Sequence, residues 1–312
     1  MQNTIRKVHL WSDDSGTLAS TILSLTPDDE GGQNRNIESI SWENEGFPPV
    51  DVSNFFARSH LSRLCSLDLY GNIQISPWDH LATLTTSLTI LSLDITSPPS
   101  PTITTSQLFS TLTLNPNLQE LSLTTAALSG DVGGWTPKVQ LRKLKTLALT
   151  GEFHHLFGLL CQFILPETLD DLDLAVFDCT VEDISQTLAP YIQDHFRRDA
   201  RFHDKLGVSS SAYNSISIQV GVVRTQTTAP VLELPRVSLM ALLSQPLPNT
   251  LEQLFINLIA LTPRERVVSF HANLGVNLPE ELFFMMPSIE TSPACSCLKD
   301  SSSQIRTDHT PT

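Results

Sequence analysis

LSRLCSLDLYGN, residues 61 to 72, contains four leucines whose spacing decides the fold. The leucines stand at positions 61, 64, 67 and 69, and an asparagine follows at position 72. An amphipathic helix needs apolar residues three or four positions apart throughout, whereas a half-buried strand needs them at every second position. This stretch changes from the first spacing to the second, so neither structure alone explains it.

The same pattern recurs along the chain when Leu67 is taken as the anchor. A leucine three residues before the anchor and another two residues after it recur in Leu88/Leu91/Leu93, Leu118/Leu121/Leu123, Leu144/Leu147/Leu149 and Leu169/Leu172/Leu174. Successive anchors are 24, 30, 26 and 25 residues apart, within or just above the lengths of leucine-rich repeats. The spacing therefore predicts an α/β leucine-rich-repeat solenoid. We expect an irregular horseshoe with parallel strands on its concave face and helices or loops on its convex face.

Weaker candidate strands extend this array in both directions. LPETLDDLDL (165 to 174) and LPNTLEQLFI (247 to 256) share the motif L-P-x-T-L-x-x-L-x-[LI], which indicates that the array continues toward the C-terminus. We predict one irregular leucine-rich-repeat domain of about ten strands over residues 1–290, followed by a polar, disordered tail over residues 291–312. The outer candidate strands are Val8/Leu10, Ile37/Ile40/Trp42, Ile216/Ile218 and Val268/Phe270.

Charge and apolar content limit the partners and the compartment. Nineteen basic and 33 acidic side chains give a net charge of −14, which disfavours nucleic acid and anionic membranes as partners. The N-terminus lacks the apolar stretch of a signal peptide, and no apolar run is long enough to span a bilayer. The five cysteines are an odd number, which argues against a disulfide framework. These features predict an intracellular protein of the cytoplasm or nucleus.

Two segments between the anchors are predicted to be helical. QLFSTLTLNPNL (107 to 118) should form a short helix that stops at Asn115, because Pro116 disfavours helix at the residue before it. Apolar residues lie on one stripe from Glu182 to Leu206, which predicts the longest helix, closed by Gly207. The asparagine of position 72 is replaced in the later repeats by Thr96, Ala126, Glu152 and Phe177, so no regular asparagine ladder is expected.

The residues between the inward leucines should point to the concave surface, because side chains alternate along a strand. The middle residues of the predicted strands are His9, Ser41, Asp68, Ser92, Ser122, Ala148, Asp173, Ser217, Phe255 and Ser269. A hydroxyl-rich, acidic face without lysine or arginine in the central repeats suits a protein surface that carries basic groups. An alternative stays open, that these residues are only β-compatible surface positions. The predicted partner-binding residues are Ser66, Asp68, Tyr70, Ser92, Asp94, Glu120, Ser122, Thr124, Thr146, Asp171 and Asp173.

The motifs of the main enzyme classes are missing from the chain. Phosphate-binding, dinucleotide-binding, esterase and zinc-protease signatures do not occur, so we predict no enzymatic activity, no catalytic residue, no cofactor and no metal. Histidines and cysteines at suggestive spacings keep a hydrolase or metal site open as an alternative. These residues are His195, Asp199 and His203 for a metal, His154 and His155 with Cys161 or Cys179 for a nucleophile, and the pair Cys295 and Cys297.

Three stretches together with the repeats resemble the leucine-rich-repeat regions of fungal F-box-type proteins. They are GFPPVDVSNFFARSHLSRLCSLDLYGN (46 to 72), LNPNLQELSL (114 to 123) and APYIQDHFRRDARFHDKLG (189 to 207), and the resemblance covers roughly residues 1–290. It implies a substrate receptor in which an N-terminal F-box binds the Skp adaptor of a cullin ubiquitin ligase while the repeats hold the target.

The chain departs from that family pattern in one respect. An F-box should precede the repeats, but Val8/Leu10 already has the pattern of a strand. The stretch LPEELFFMMPSI (278 to 289) is similar to the opening of an F-box, but only 23 residues follow it, too few for the remaining helices. We therefore expect the substrate-recognition region of an F-box-like ubiquitin-ligase receptor, or a fragment of one, with Skp as a partner only if an F-box is restored upstream. A leucine-rich-repeat regulatory scaffold unrelated to ubiquitin is the other reading.

Overall fold

The chain divides into two compact units, unit 1 (Met1–Leu169) and unit 2 (Asp170–Thr312). The predicted domain boundary at residue 290 lies outside the described residues. The structure, a computed structural model, describes residues 5–26, 36–59, 61–75, 78, 87–95, 103–129, 138–167, 169–188, 190–192, 205–211, 215–224, 231–243 and 269–274.

In the described part of unit 1, six parallel strands form the main sheet in the order β1-β2-β4-β6-β8-β11. After each strand the chain leaves the sheet, and it returns through a connection long enough to place the next strand parallel to the previous one. The prediction of an α/β fold with parallel strands is confirmed for this unit. The strands are β1 (Lys7–Ser12), β2 (Ser39–Asn44), β4 (Ser66–Gly71), β6 (Ile90–Ile95), β8 (Glu120–Thr124) and β11 (Thr146–Glu152).

The predicted anchor leucines pair with one another across this sheet. Leu67 pairs with Leu91, and the pairing continues through Leu121 to Leu147. The leucines two residues later pair in the same way, and all of these side chains are buried. The candidate strands at the N-terminal end are confirmed as well, since their apolar residues continue both rows. The continuing pairs are Val8 with Ile40 and Leu10 with Trp42.

One backbone hydrogen bond recurs just before each strand. The amide N–H of the residue just before each strand donates to the carbonyl oxygen of the equivalent residue before the neighbouring strand. Successive segments are therefore joined before the sheet begins. Each bond is short, which is typical of well-formed backbone pairing. The bonds are Glu38 to Arg6 (2.7 Å), Cys65 to Glu38 (2.8 Å), Thr89 to Cys65 (2.7 Å), Gln119 to Thr89 (2.8 Å) and Lys145 to Gln119 (2.7 Å).

Helices and short strand pairs connect the main strands. Helix α3 (Thr105–Leu114) begins with a capping box between Thr104 and Gln107, and Asn115 is its C-cap, as predicted from Pro116. No helix among the described residues is long and apolar enough to cross a bilayer. The helices of unit 1 are α1 (Ser15–Leu25), α2 (Ser53–Arg58), α3 (Thr105–Leu114) and α4 (Phe153–Gln162), with a 3-10 turn at Thr125–Ala127. Two-residue parallel pairs join β3 (Val50–Asp51) to β5 (Ile73–Gln74), β7 (Ile103–Thr104) to β9 (Leu128–Ser129), and β10 (Val139–Gln140) to β12 (Phe163–Ile164).

Three asparagines, Asn44, Asn72 and Asn115, join neighbouring segments of unit 1, and only Asn72 belongs to the leucine pattern. The side chain of Asn44 is fully buried, donates to the carbonyl of Asn72 (2.7 Å) and accepts from the amide of Gly46 (3.1 Å). Asn72 donates in turn to the carbonyl of Gly46 (3.0 Å). Farther along, Asn115 accepts from the amide of Leu88 (2.8 Å). These side chains satisfy backbone groups that the turns leave unpaired.

Unit 2 contains a sheet of mixed direction. Its described strands follow the order β13-β16-β15-β14-β17, and β15 runs antiparallel to both of its neighbours. The predicted parallel pairing holds for β13 with β16 and for β14 with β17. It is wrong for β15, because only three residues separate β14 from β15, too few for a parallel crossover. The strands are β13 (Asp171–Cys179), β14 (Lys205–Ser211), β15 (Ser215–Arg224), β16 (Val231–Leu243) and β17 (Ser269–Leu274).

The long helix predicted up to Leu206 is wrong at its C-terminal end. Val181–Asp183 is helical and continues as a π-helical Ile184–Leu188, but Leu206 and Gly207 lie inside β14, where they pair with β15. Strand pairing therefore overrides the local apolar periodicity at these residues, since tertiary context outweighs a weak helical preference.

Replacing Leu69 by alanine tests the role of the leucine rows. Leu69 is fully buried, so we expect Leu69→Ala to lower the free energy of unfolding by about 2–5 kcal/mol, through lost apolar burial and a residual cavity. The neighbouring Tyr70 is 41 % exposed, and Tyr70→Ala serves as the matched control, with an expected change below about 1 kcal/mol. Urea unfolding followed by circular dichroism measures both. Equal losses in the two variants would contradict the assignment of Leu69 to the core.

Candidate protein-binding face

One side of the unit 1 sheet carries exposed or half-buried side chains in three rows, and we call this side the open face. Alternate residues of each strand are buried leucines or their equivalents, so the residues between them point to the other side. The first row is Lys7, Ser39, Ser66, Ile90, Glu120 and Thr146; the second is His9, Ser41, Asp68, Ser92, Ser122 and Ala148; the third is Trp11, Glu43, Tyr70, Asp94, Thr124 and Thr150.

The second row contains the predicted middle residues of the first six strands, all in register. The hydroxyl of Ser41 donates to the carboxylate of Asp68 across the strand boundary (3.2 Å). Ser92 and Ser122 continue the row with small hydroxyl side chains. Small hydroxyls beside one carboxylate make the centre of the face polar, and these half-buried side chains provide hydrogen-bond donors and acceptors.

The third row is more strongly charged and carries aromatic side chains. Trp11 is 56 % exposed and Tyr70 is 41 % exposed, whereas Glu43 and Asp94 are half-buried between their neighbours. The hydroxyl of Thr124 donates to the carboxylate of Asp94 at 2.6 Å. This bond orients Asp94 and leaves its second oxygen available to a further donor.

The carboxylates of the open face are not neutralised by cations among the described residues. The ion pair of Arg6 with Glu38 (3.8 Å) lies elsewhere, as does the contact between the imidazole of His155 and the carboxylate of Glu152 (3.8 Å). On strands β2 to β11 the face positions contain Glu43, Asp68, Asp94 and Glu120 but no lysine or arginine. A negative surface of this kind attracts basic groups and repels phosphate.

Nine of the eleven predicted binding residues lie on the open face; Asp171 and Asp173 belong to β13 of unit 2. The side chain of Asp171 is 7 % exposed, which makes it a poor contact residue, whereas Asp173 is half-buried and pairs with Ser238. Whether these residues bind a partner stays a prediction. The nine residues on the open face are Ser66, Asp68, Tyr70, Ser92, Asp94, Glu120, Ser122, Thr124 and Thr146.

The remaining predicted middle residues occupy different settings. Ser217 lies on the antiparallel strand β15, and Ser269 is the first residue of β17. Phe255 lies outside the described residues. Sequence reasoning missed Trp11 and Glu43, although the alternation of Val8/Leu10 and Ile40/Trp42 places both on the same side as the middle residues.

The histidines and cysteine of α4 do not form a nucleophile–base pair. His154 and His155 are exposed near its start, and Cys161 lies six residues after His155, about 9 Å farther along the helix axis. Burial raises the pKa of the Cys161 thiol, which disfavours the reactive thiolate. The arrangement therefore gives no support to thiol catalysis at this helix.

Metal binding is not supported by the described residues. No group of three histidine, cysteine, aspartate or glutamate side chains is arranged there to hold an ion. The residues that suggested a metal in the sequence lie outside the described part of the chain. They are His195, Asp199, His203, Cys295 and Cys297.

Comparison with known proteins adds no family to this description. No protein-family model matches the chain, and no curated protein matches it.

The thiol of Cys179 provides a test of burial in unit 2. Burial, and then the nearby Asp183, raise the pKa of Cys179 to about 11, so this thiol should react slowly with iodoacetamide at pH 9 and readily in urea. The folded state keeps the proton longer than the unfolded state, so the stability contributed by the neutral thiol falls as pH rises from 9.0 toward about 11.

Mass spectrometry of labelled peptides measures the reaction. The half-exposed Cys65 is the internal reference, and Cys179→Ser should flatten the alkaline loss of stability. Fast labelling of Cys179 in the folded protein would show that its side chain is accessible.

Proposed function

We propose that this chain is a leucine-rich-repeat scaffold that binds another protein through the open face. In this proposal the face is the concave surface of an irregular solenoid, with the helices on the convex side. The observation that carries it is the register of five successive strands, which aligns carboxylates and hydroxyls in continuous rows. Stacked repeats create extended concave surfaces that solenoid proteins use for binding.

The charges of the face support a basic partner. Asp68 and Asp94 each accept a hydrogen bond from a neighbouring hydroxyl and keep further acceptor capacity. Arginine and lysine on a partner are the complementary groups, because charge-assisted hydrogen bonds to carboxylates are the stronger ones. Neither phosphate nor a nucleic-acid backbone suits this surface.

We further propose that the scaffold is the substrate-recognition region of an F-box-like ubiquitin-ligase receptor. The resemblance of residues 46–72, 114–123 and 189–207 to F-box-type repeat proteins supports this role. A regulatory scaffold outside the ubiquitin system uses the same face, so the two roles differ in the second partner, the Skp adaptor.

Crosslinking from defined positions tests the face. A photoreactive phenylalanine analogue at Ser92, in the centre of the open face, should crosslink a partner from an extract of the source cell. The same group at Ser110, exposed on helix α3, should not. Crosslinks from Ser110 alone would place the partner elsewhere and overturn the proposal.

Charge reversal provides an independent prediction. Asp68→Arg and Asp94→Arg should each reduce the crosslinked partner by about tenfold or more, because like charges repel across an interface. Glu167→Arg is the matched control, since Glu167 is exposed outside the main strands of unit 1. Asp68→Asn and Asp94→Asn remove the negative charge without introducing a positive one, and they provide the test if the arginine variants do not fold. Capture that survives all four face variants contradicts an acidic binding face.

The ubiquitin role has its own test. The product of the full native transcript, tagged and purified from its source cell, should carry the Skp adaptor in roughly equal amounts with the receptor. Mass spectrometry of the purified complex makes the measurement. If a protein crosslinks to the open face but the Skp adaptor is absent from the purified complex, the role of ligase receptor is excluded and the regulatory scaffold is supported.

A further inference from the structure

Two exposed aromatic side chains flank a carboxylate in the third row of the open face. Trp11 pairs with Glu43 across β1 and β2, and Glu43 pairs with Tyr70 across β2 and β4. Asp94 on β6 is the next residue of the row after Tyr70. Exposed tryptophan and tyrosine beside polar groups are enriched where proteins meet partners, because their rings contribute contact area at little entropic cost.

The spacing of this row fits a planar cation. Neighbouring strands lie about 4.8 Å apart, so the Cα atoms of Trp11 and Tyr70 are roughly 10 Å apart with Glu43 between them. A guanidinium placed over Glu43 has an aromatic side chain on either side and a carboxylate below. Guanidinium groups stack on aromatic rings and form paired hydrogen bonds with carboxylates, whereas an ammonium is a more strongly hydrated point charge.

The protein does not supply this cation from its own described residues. Glu43 forms no hydrogen bond or ion pair with the described part of the chain, and Asp94 is engaged by the neutral hydroxyl of Thr124. Lys7 lies four positions from Trp11 along β1, about 13 Å away. The row is therefore negatively charged and open to a partner.

We infer that Trp11, Glu43 and Tyr70 form a seat for an arginine side chain of the partner protein, with Asp94 adding negative charge beside it. The inference rests on the proposed function, since it names the chemistry by which the open face recognises its partner. It commits to a partner segment with an exposed arginine, and it places the seat at the β1 end of the face, away from the first-row Glu120.

Binding of a synthetic peptide tests the seat without the native partner. The probe is an acetylated glycine–serine nonapeptide with three arginines, and the matched peptides carry citrulline or lysine at the same positions. The chain has four tryptophans, and Trp42 and Trp78 are fully buried. Titration of nitrogen-15-labelled protein should move the indole signal of Trp11, identified with Trp11→Phe. The citrulline peptide should leave that signal in place.

Variants of the row separate the seat from general acidity. Fluorescence anisotropy of a dye-labelled arginine peptide measures the affinity of each variant without the Trp11 indole. Glu43→Gln and Trp11→Ala should each weaken binding of this peptide by about fivefold or more, whereas Trp11→Phe should weaken it less. Glu167→Gln, which removes one charge outside the main strands of unit 1, should change the affinity by less than about twofold at 0.15 M salt because of screening. Equal effects of Glu43→Gln and Glu167→Gln, with none from Trp11→Ala, would overturn the proposed seat.

The lysine peptide and the Ser92 crosslink provide further outcomes that decide between the proposals. A lysine peptide that binds as tightly as the arginine peptide contradicts the preference for a guanidinium. Failure of the arginine peptide to move the Trp11 signal overturns the seat, while crosslinking of a native partner at Ser92 still supports the proposed function. Failure of that crosslinking together with a clear Trp11 shift overturns the proposed function and leaves an arginine-binding row.

Discussion

The in-register pairing of the buried leucine rows is the constraint on which unit 1 depends. Leu67, Leu91, Leu121 and Leu147 form one row, and the leucines two residues later form another. Side chains alternate with a period of two, so a slip of one residue would turn both rows outward and bury carboxylates in their place. The free-energy cost of that exchange fixes the register, and the register in turn fixes which polar residues become neighbours.

The buried and open sides of the sheet differ in how much their residues vary from strand to strand. Leucines on the buried side occupy equivalent register positions in successive strands, and all of them are buried. Positions on the open side are more varied: Asp68 is followed in its row by Ser92, and Tyr70 by Asp94. The residues of the open side can therefore change without a change in the buried rows, because side chains alternate between the two sides of a strand.

Connections between repeats depend on side chains outside the leucine pattern. Asn44 and Asn115 bond to backbone groups of neighbouring repeats, and they occupy different places in their own repeats. The expectation that the asparagine of position 72 would not form a regular ladder agrees with these irregular bonds. Buried amides of this kind stabilise particular turns because they satisfy backbone donors and acceptors that would otherwise lack partners.

Sequence reasoning succeeded where a local pattern is enough and failed where distant segments compete. It located the leucine rows, the N-terminal strands and the end of α3 at Asn115, since each depends on residues close in the chain. It extended a helix to Leu206, which pairs in β14 instead, and it treated Asp171 as a surface residue although the side chain is buried. Both errors arise from long-range pairing in unit 2 that periodicity does not encode.

The sequence by itself determined the alternation of buried and open positions and the sign of the charge on the open side. Both follow from the order of residues within single strands. Tertiary structure alone decided that Trp11, Glu43 and Tyr70 are adjacent, although 32 and 27 residues separate them in the chain. The repeats vary in length, so the spacing of leucines does not give the register of the outer strands; backbone pairing and the packing of buried side chains set it.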